Sequence, residues 1–228
     1  MLAPFIDRPC EDSLTASIFG HLLHLPSEVF WQILTQACRT AALPQHAGEP
    51  HCAAEFWPKW SPTDTRNSTY VEPDLFIRFR EFDLIIEAKR NDDYQQDRRQ
   101  WEKEIVAYHN EYGAEKIPVR LIAVGGIWDS KDEELKIKDI SCPVHMCRWT
   151  WLLAECQCMY RELGRISYQS SANNAHRRTL ADAISHFEWH GFLTGTWFSD
   201  TVSKLAPLSP SLALNHRTFR ELHLQFSN

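Results

Sequence analysis

No apolar run in this chain approaches the ~20 residues that a bilayer-spanning helix needs, so a membrane protein of that kind is not expected. The opening segment, MLAPFIDRPCED, has no basic stretch leading into an apolar one. It does not read as a secretory signal, and the expected compartment is the cytoplasm. Nothing repeats at a fixed period, which argues against a solenoid or array. Basic residues are not in surplus: 24 Lys and Arg stand against 30 Asp and Glu, a formal charge of −6. A free-standing, high-affinity DNA binder usually shows the opposite balance, although a local basic groove is compatible with it, because the field at the site is what matters. The seven cysteines are odd in number and irregularly spaced, which excludes a disulfide scaffold and leaves small buried hydrophobes. Cys142, His145, Cys147, Cys156 and Cys158 cluster, but without the tight pairs of a structural zinc site. His186 and His190 lie four apart on a helix with no third ligand. They read as packing histidines, as do His21 and His24.

What is present is a core: 43% of residues are hydrophobic and 12% aromatic. The length of 228 residues fits one domain with an appendage. Leu14, Ile18 and Leu22 recur at helical spacing in segment 11–23, and Glu11 projects from that same apolar face, an unusual place for an acid. Pro26 ends this helix, and Ser27 is the predicted cap of a second over 28–41. An edge strand is predicted within 53–60, then a polar loop over 61–69. Residues 70–79 and 83–89 read as two strands joined by a three-residue turn, a hairpin. Folding the chain about that turn sets Asp74 beside Glu87, and the period of two turns Glu87 and Lys89 to one face. A helix follows over 93–112. Its stripe is Trp101, Ile105, Tyr108 and Tyr112, with Gln96, Gln100 and Glu104 as a polar row alongside. Residues 119–127 form a buried strand that ends in Gly125–Gly126. Residues 129–139 are charged and read as a solvated loop. A strand at 144–149, a helix at 150–163, a polar link at 167–174 and a helix at 176–190 complete the reading, with the tail from 197 unassigned. This order predicts an α/β fold, a mixed sheet covered by helices.

Two acids and an amine thus meet at the end of the central hairpin. Hard divalent cations such as Mg²⁺ take one or two carboxylates together with water and phosphate oxygens. Asp74 and Glu87 suit that role, and the Ala88 carbonyl can add a ligand. Such a cation acidifies water into a nucleophile, while Lys89 can orient that water and offset charge growing on a scissile phosphate.

Pro73–Asp74, a 12-residue gap and Glu87–Ala88–Lys89 resemble the signature of the PD-(D/E)XK nuclease superfamily, the restriction-endonuclease-like fold. The resemblance covers about residues 9–149. It implies a nuclease-like core, expected over 1–165; residues 166–228 follow no family pattern and are expected to form a mainly helical C-terminal extension packed on that core. It also implies Mg²⁺ or Mn²⁺, with Asp74, Glu87, Ala88 and Glu11 as metal ligands. Asp74, Glu87 and Lys89 would be catalytic, together with Gln100, for which Gln96 and Glu104 are rivals. Arg90, Arg98, Arg99 and Lys103 are candidates to track a phosphate backbone. The substrate implied is nucleic acid, with DNA favoured over RNA by the resemblance alone. Restriction, repair and anti-phage defence are compatible settings, and a homodimer or a larger complex with a partner subunit is a compatible assembly. The rival reading is an inactive restriction-like fold kept as a binding or regulatory subunit, and the intact acid–acid–lysine set argues against it.

Overall fold

Leu75–Arg78 and Asp83–Ala88 carry apolar residues on both faces, Leu75 and Ile77 against Phe76, and Leu84 and Ile86 against Ile85, and strands of that kind need cover on both sides. The computed structural model, which describes residues 8–50, 54–137, 139–166 and 171–193, supplies it. Six strands form one mixed sheet: β1 (Glu55–Phe56), β2 (Leu75–Arg78), β3 (Asp83–Ala88), β4 (Val119–Val124), β5 (Glu133–Ile137) and β6 (Ile140–Cys147). Their spatial order is β1-β2-β3-β4-β6-β5. β3, β4 and β6 run parallel, while β1, β2 and β5 join their neighbours antiparallel.

One helix, α3 (Arg98–Tyr112), covers one face. It lays Trp101, Ile105 and Tyr108 on Phe76, Ile85, Leu121 and Met146. The other face carries α1 (Glu11–Leu22), α2 (Ser27–Cys38), α4 (Trp149–Ile166) and α5 (Ser171–Trp189). There Leu14, Ile18, Trp31, Leu152 and Phe187 join Ile77, Leu84, Ile86 and Val124 in a single apolar cluster. α5, placed by the sequence in the extension, packs against α1 and α4. Residues 167–170 of the predicted link and the tail from 194 lie outside the described residues. No helix among the described residues is long and apolar enough to cross a membrane.

Several expectations need correction. Segment 129–139 is not wholly loop: Glu133–Ile137 pairs with β6 as an edge strand, with only Leu135 fully buried. Edge strands tolerate charge on their open side, which is why this one reads as loop. α3 starts at Arg98 rather than 93, because Asp97 accepts the Arg99 N–H as its cap. Gln96 therefore lies before the helix. Ser27 is no cap: α2 begins behind Pro26 without a side-chain cap bond, and the Ser27 hydroxyl donates to Glu49 instead. The strand within 53–60 shrinks to Glu55–Phe56, since Trp57 turns the chain at φ 51°. β4 stops at Val124, where the glycine pair begins.

Candidate active site

The site begins with register. Leu75 faces Ile86 and Phe76 faces Ile85, so the next pair outward is Asp74 and Glu87. Alternation puts Glu87 on the face of Ile85, towards α3, and Asp74 on the face of Phe76, the same side. Both acids are buried, Asp74 at 8% exposure and Glu87 at 1%. The Ala88 N–H donates to Asp74 Oδ2 at 2.7 Å, and the Trp57 indole N–H reaches Asp74 Oδ1 at 3.3 Å.

Glu87 is the hub. Its Oε1 accepts from the Lys89 ammonium and, at 2.6 Å, from the Gln100 amide. The Gln96 amide donates to the Glu87 carbonyl at 3.1 Å and to the Gly125 carbonyl at 3.2 Å, and its own oxygen accepts the Trp101 indole N–H at 2.7 Å. Lys89 reaches beyond Glu87 to Glu11 Oε1 at 3.4 Å, and Glu11 Oε2 accepts the Arg90 N–H at 3.0 Å. The first turn of α1 therefore closes over the end of β3. Glu11 is not the cap of its helix; Cys10 is.

Burial sets the electrostatics. It raises the Asp74 carboxyl from 3.8 to about 7, with the neighbouring Glu87 charge adding to the shift. Burial also raises Glu87, and the Lys89 ammonium partly opposes it. For Lys89 burial works against the charged form, but the Glu87 carboxylate, then Glu11 and Asp74, outweigh it. The lysine stays an ammonium above its usual range. Glu104 is raised well above the ordinary carboxyl range, first by burial and next by Glu87.

The backbone behind Lys89 is held as firmly as the side chain. The Trp149 indole donates to the Lys89 carbonyl at 2.6 Å, and Asp92 Oδ1 accepts the Trp149 N–H at 2.6 Å. Gly125 and Gly126 take φ values of +66° and +62°, which favour glycine. A Cβ on Gly125 would stand 2.4 Å from the Lys89 carbonyl oxygen. The pair lets residues 89–96 lie close over the end of β4, where the Gly126 carbonyl accepts from Gln95 and Gln96.

Of the residues singled out in the sequence, Asp74, Glu87, Lys89, Gln100 and Glu11 converge, and Ala88 joins through its amide. Gln96 donates to the Glu87 carbonyl and Gln100 to its carboxylate, while Glu104 is buried with the Glu87 charge acting on it. Trp57 escaped sequence reading, since its contact with Asp74 depends on a positive φ in a short edge segment. The four basic residues are dispersed. Arg98 pairs with Glu102 and Glu133. Arg99 and Lys103 line a hollow of about 370 Å³ with Arg66, and the acids Asp64, Asp97 and Glu102 share it. Arg90 lines a different one beside His190. Cys142, Cys147 and Cys156 are buried free thiols, and the rings of His21 and His186 pack 4.9 Å apart.

A hard cation suits this donor set. Glu87 Oε2 is buried without a fixed hydrogen-bond partner among the described residues, beside a second carboxylate. No three His, Cys, Asp or Glu side chains among the described residues form a ready-made cage. Mg²⁺ does not ask for one, since it keeps several waters.

No family model matches the chain, and no solved structure matches it. The uncharacterized protein PM0110 of Pasteurella multocida (strain Pm70) is 30% identical over 190 residues, which span 79% of this chain and 69% of that protein. Identity sustained over that share of both chains makes them homologues, and this chain belongs to the family of protein PM0110.

Proposed function

We propose that this protein is a metal-dependent nuclease of the PD-(D/E)XK superfamily, with a restriction-endonuclease-like core, which hydrolyses DNA phosphodiester bonds with Mg²⁺ or Mn²⁺. The observation that carries this reading is the meeting of Asp74, Glu87 and Lys89 at one hairpin end, with Glu11 brought in from a separate helix.

Asp74 and Glu87 offer oxygen ligands from a backbone fixed by sheet pairing. A divalent cation held there supplies Lewis acidity, acidifying water and withdrawing charge from a phosphoryl oxygen. The Glu87, Glu11 and Asp74 carboxylates hold Lys89 as an ammonium, so it offers a donor and a positive charge. It can hold a water in line with the scissile bond and stabilise charge on the phosphate. Gln100 fixes Glu87 Oε1, which leaves Oε2 for the cation. Glu11 steers the ammonium, and Arg99 and Lys103 offer positive charge to flanking phosphates. DNA as substrate, and a setting in restriction, repair or anti-phage defence, rest on the resemblance of the motif. The acidic balance of the whole chain favours a working complex with a more basic partner subunit.

Plasmid and linear DNA incubated with the pure chain and Mg²⁺ test this reading, beside EDTA and Lys89→Ala controls. Cleavage by the wild type alone supports it. Equal DNA loss in wild type and Lys89→Ala, or none with either metal, would defeat it.

A further inference from the structure

Glu104 sits one helical turn after Gln100 on α3, inside the stripe of Trp101, Ile105 and Tyr108 that seals this face of the sheet. It is 1% exposed, and neither of its oxygens meets an N–H or hydroxyl donor among the described residues. Its charged neighbour is the Glu87 carboxyl, and Glu87 Oε2 likewise lacks a fixed donor. Lys89 and Gln100 both take Oε1, so the bare side of Glu87 is the side turned away from them.

Two buried carboxyls in contact are held only by a proton or a cation between them. A purely structural position in this stripe is better served by leucine or methionine, which fill the same space without a desolvation cost. A position needed only to donate to Glu87 is better served by glutamine, the residue one turn earlier.

We propose that Glu104 is a further cation ligand, which with Glu87 Oε2 forms an inner position for a hard divalent metal such as Mn²⁺, distinct from the outer one between Asp74 and Glu87. The inference rests on the metal-dependent reading above and deepens it. Glu87 Oε2, left free by Lys89 and Gln100 on Oε1, would then be shared by the two positions, the kind of arrangement that two-metal phosphoryl-transfer sites use. Glu104 anchors the inner position from a helix and not from the hairpin.

Calorimetric Mn²⁺ titration and thermal melts of the full chain test it, with wild type, Glu104→Gln, Glu104→Met and Asp74→Asn compared. Both Glu104 variants keep the volume of the side chain, and the metal-free melts report folding directly. The expected result is a metal-free Tm equal to or above wild type in both. At the same time the Mn²⁺ affinity should fall at least tenfold, or the bound stoichiometry should drop by one ion. Unchanged affinity and stoichiometry in both variants would overturn the inference while leaving the nuclease reading intact, with Glu104 reduced to a proton-sharing neighbour. No Mn²⁺ uptake by the wild type would overturn the metal reading and this inference with it. Loss of uptake in Asp74→Asn alone would refute the role of Glu104 only.

Discussion

Asp74→Asn, studied without divalent metal, should make the folded chain more stable near pH 8 and leave it nearly unchanged near pH 4. In the folded chain the Asp74 carboxyl titrates at about 7, against 3.8 in the open chain. The folded state therefore binds the proton more tightly, and stability falls as pH rises from about 4 through about 7. A separation of about 3 units corresponds to about 4 kcal/mol at the upper end of that window. Asparagine removes this cost and keeps an acceptor for the Ala88 N–H. It also turns an amide N–H towards the Trp57 indole, whose 3.3 Å hydrogen bond is lost at a cost of about 1 kcal/mol. The net gain near pH 8 is then about 3 kcal/mol, or roughly 6–12 °C in Tm for a chain of this size. Metal closes most of that gap. At a hundredfold excess over Kd the wild type should gain about 2.7 kcal/mol from Mg²⁺ or Mn²⁺, and the variant should gain far less. Melts followed by circular dichroism near pH 4 and pH 8, in EDTA and in saturating metal, read all four quantities. A variant no more stable than wild type near pH 8, or a gain that does not grow with pH, would refute the reasoning.

Three further outcomes follow from packing and hydrogen bonding. Gly125→Ala forces a Cβ to 2.4 Å from the Lys89 carbonyl oxygen and 2.7 Å from Trp149 Cδ1 at φ +66°, and should cost roughly 3–5 kcal/mol in urea denaturation. Wild-type stability in that variant would contradict the close approach. Gln96→Leu strands the Trp101 indole N–H and the Glu87 and Gly125 carbonyls and should cost about 2–3 kcal/mol by the same measurement, where a neutral result would show that other groups satisfy them. Arg78→Met removes the ion-pair partner of Asp83, which is fully buried and otherwise bonded to the Tyr108 hydroxyl. The loss should be about 3–5 kcal/mol, and a change below 1 kcal/mol would show that Asp83 is satisfied without Arg78.

The hairpin was legible in the sequence because strand alternation and a three-residue turn leave one register, and that register already pairs Asp74 with Glu87. Glu11 was legible as an acid on an apolar helical face. β5 was not, since Lys131 to Lys136 carries the charge of an open edge and buries little besides Leu135. Gln96 reads as helical because its periodicity continues into α3, whereas Asp97, one residue later, is the cap at which the helix begins. Glu104 and Trp57 mark the boundary of such reading. Glu104 stood in the polar row, but that it is wholly enclosed against another carboxyl depends on how α3 seats on the sheet. Trp57 meets Asp74 only because one residue adopts a left-handed turn.

Trp149 links the chemistry to a part of the chain outside the motif. Its indole grips the carbonyl of Lys89, and its amide is held by Asp92 in the loop that follows. The lysine is thus wedged from behind by the first residue of α4. A shortened chain ending at Arg148 would keep every residue of the acid–acid–lysine signature and yet lose the wedge, so the smallest unit that holds Lys89 as described reaches past the last strand of the sheet.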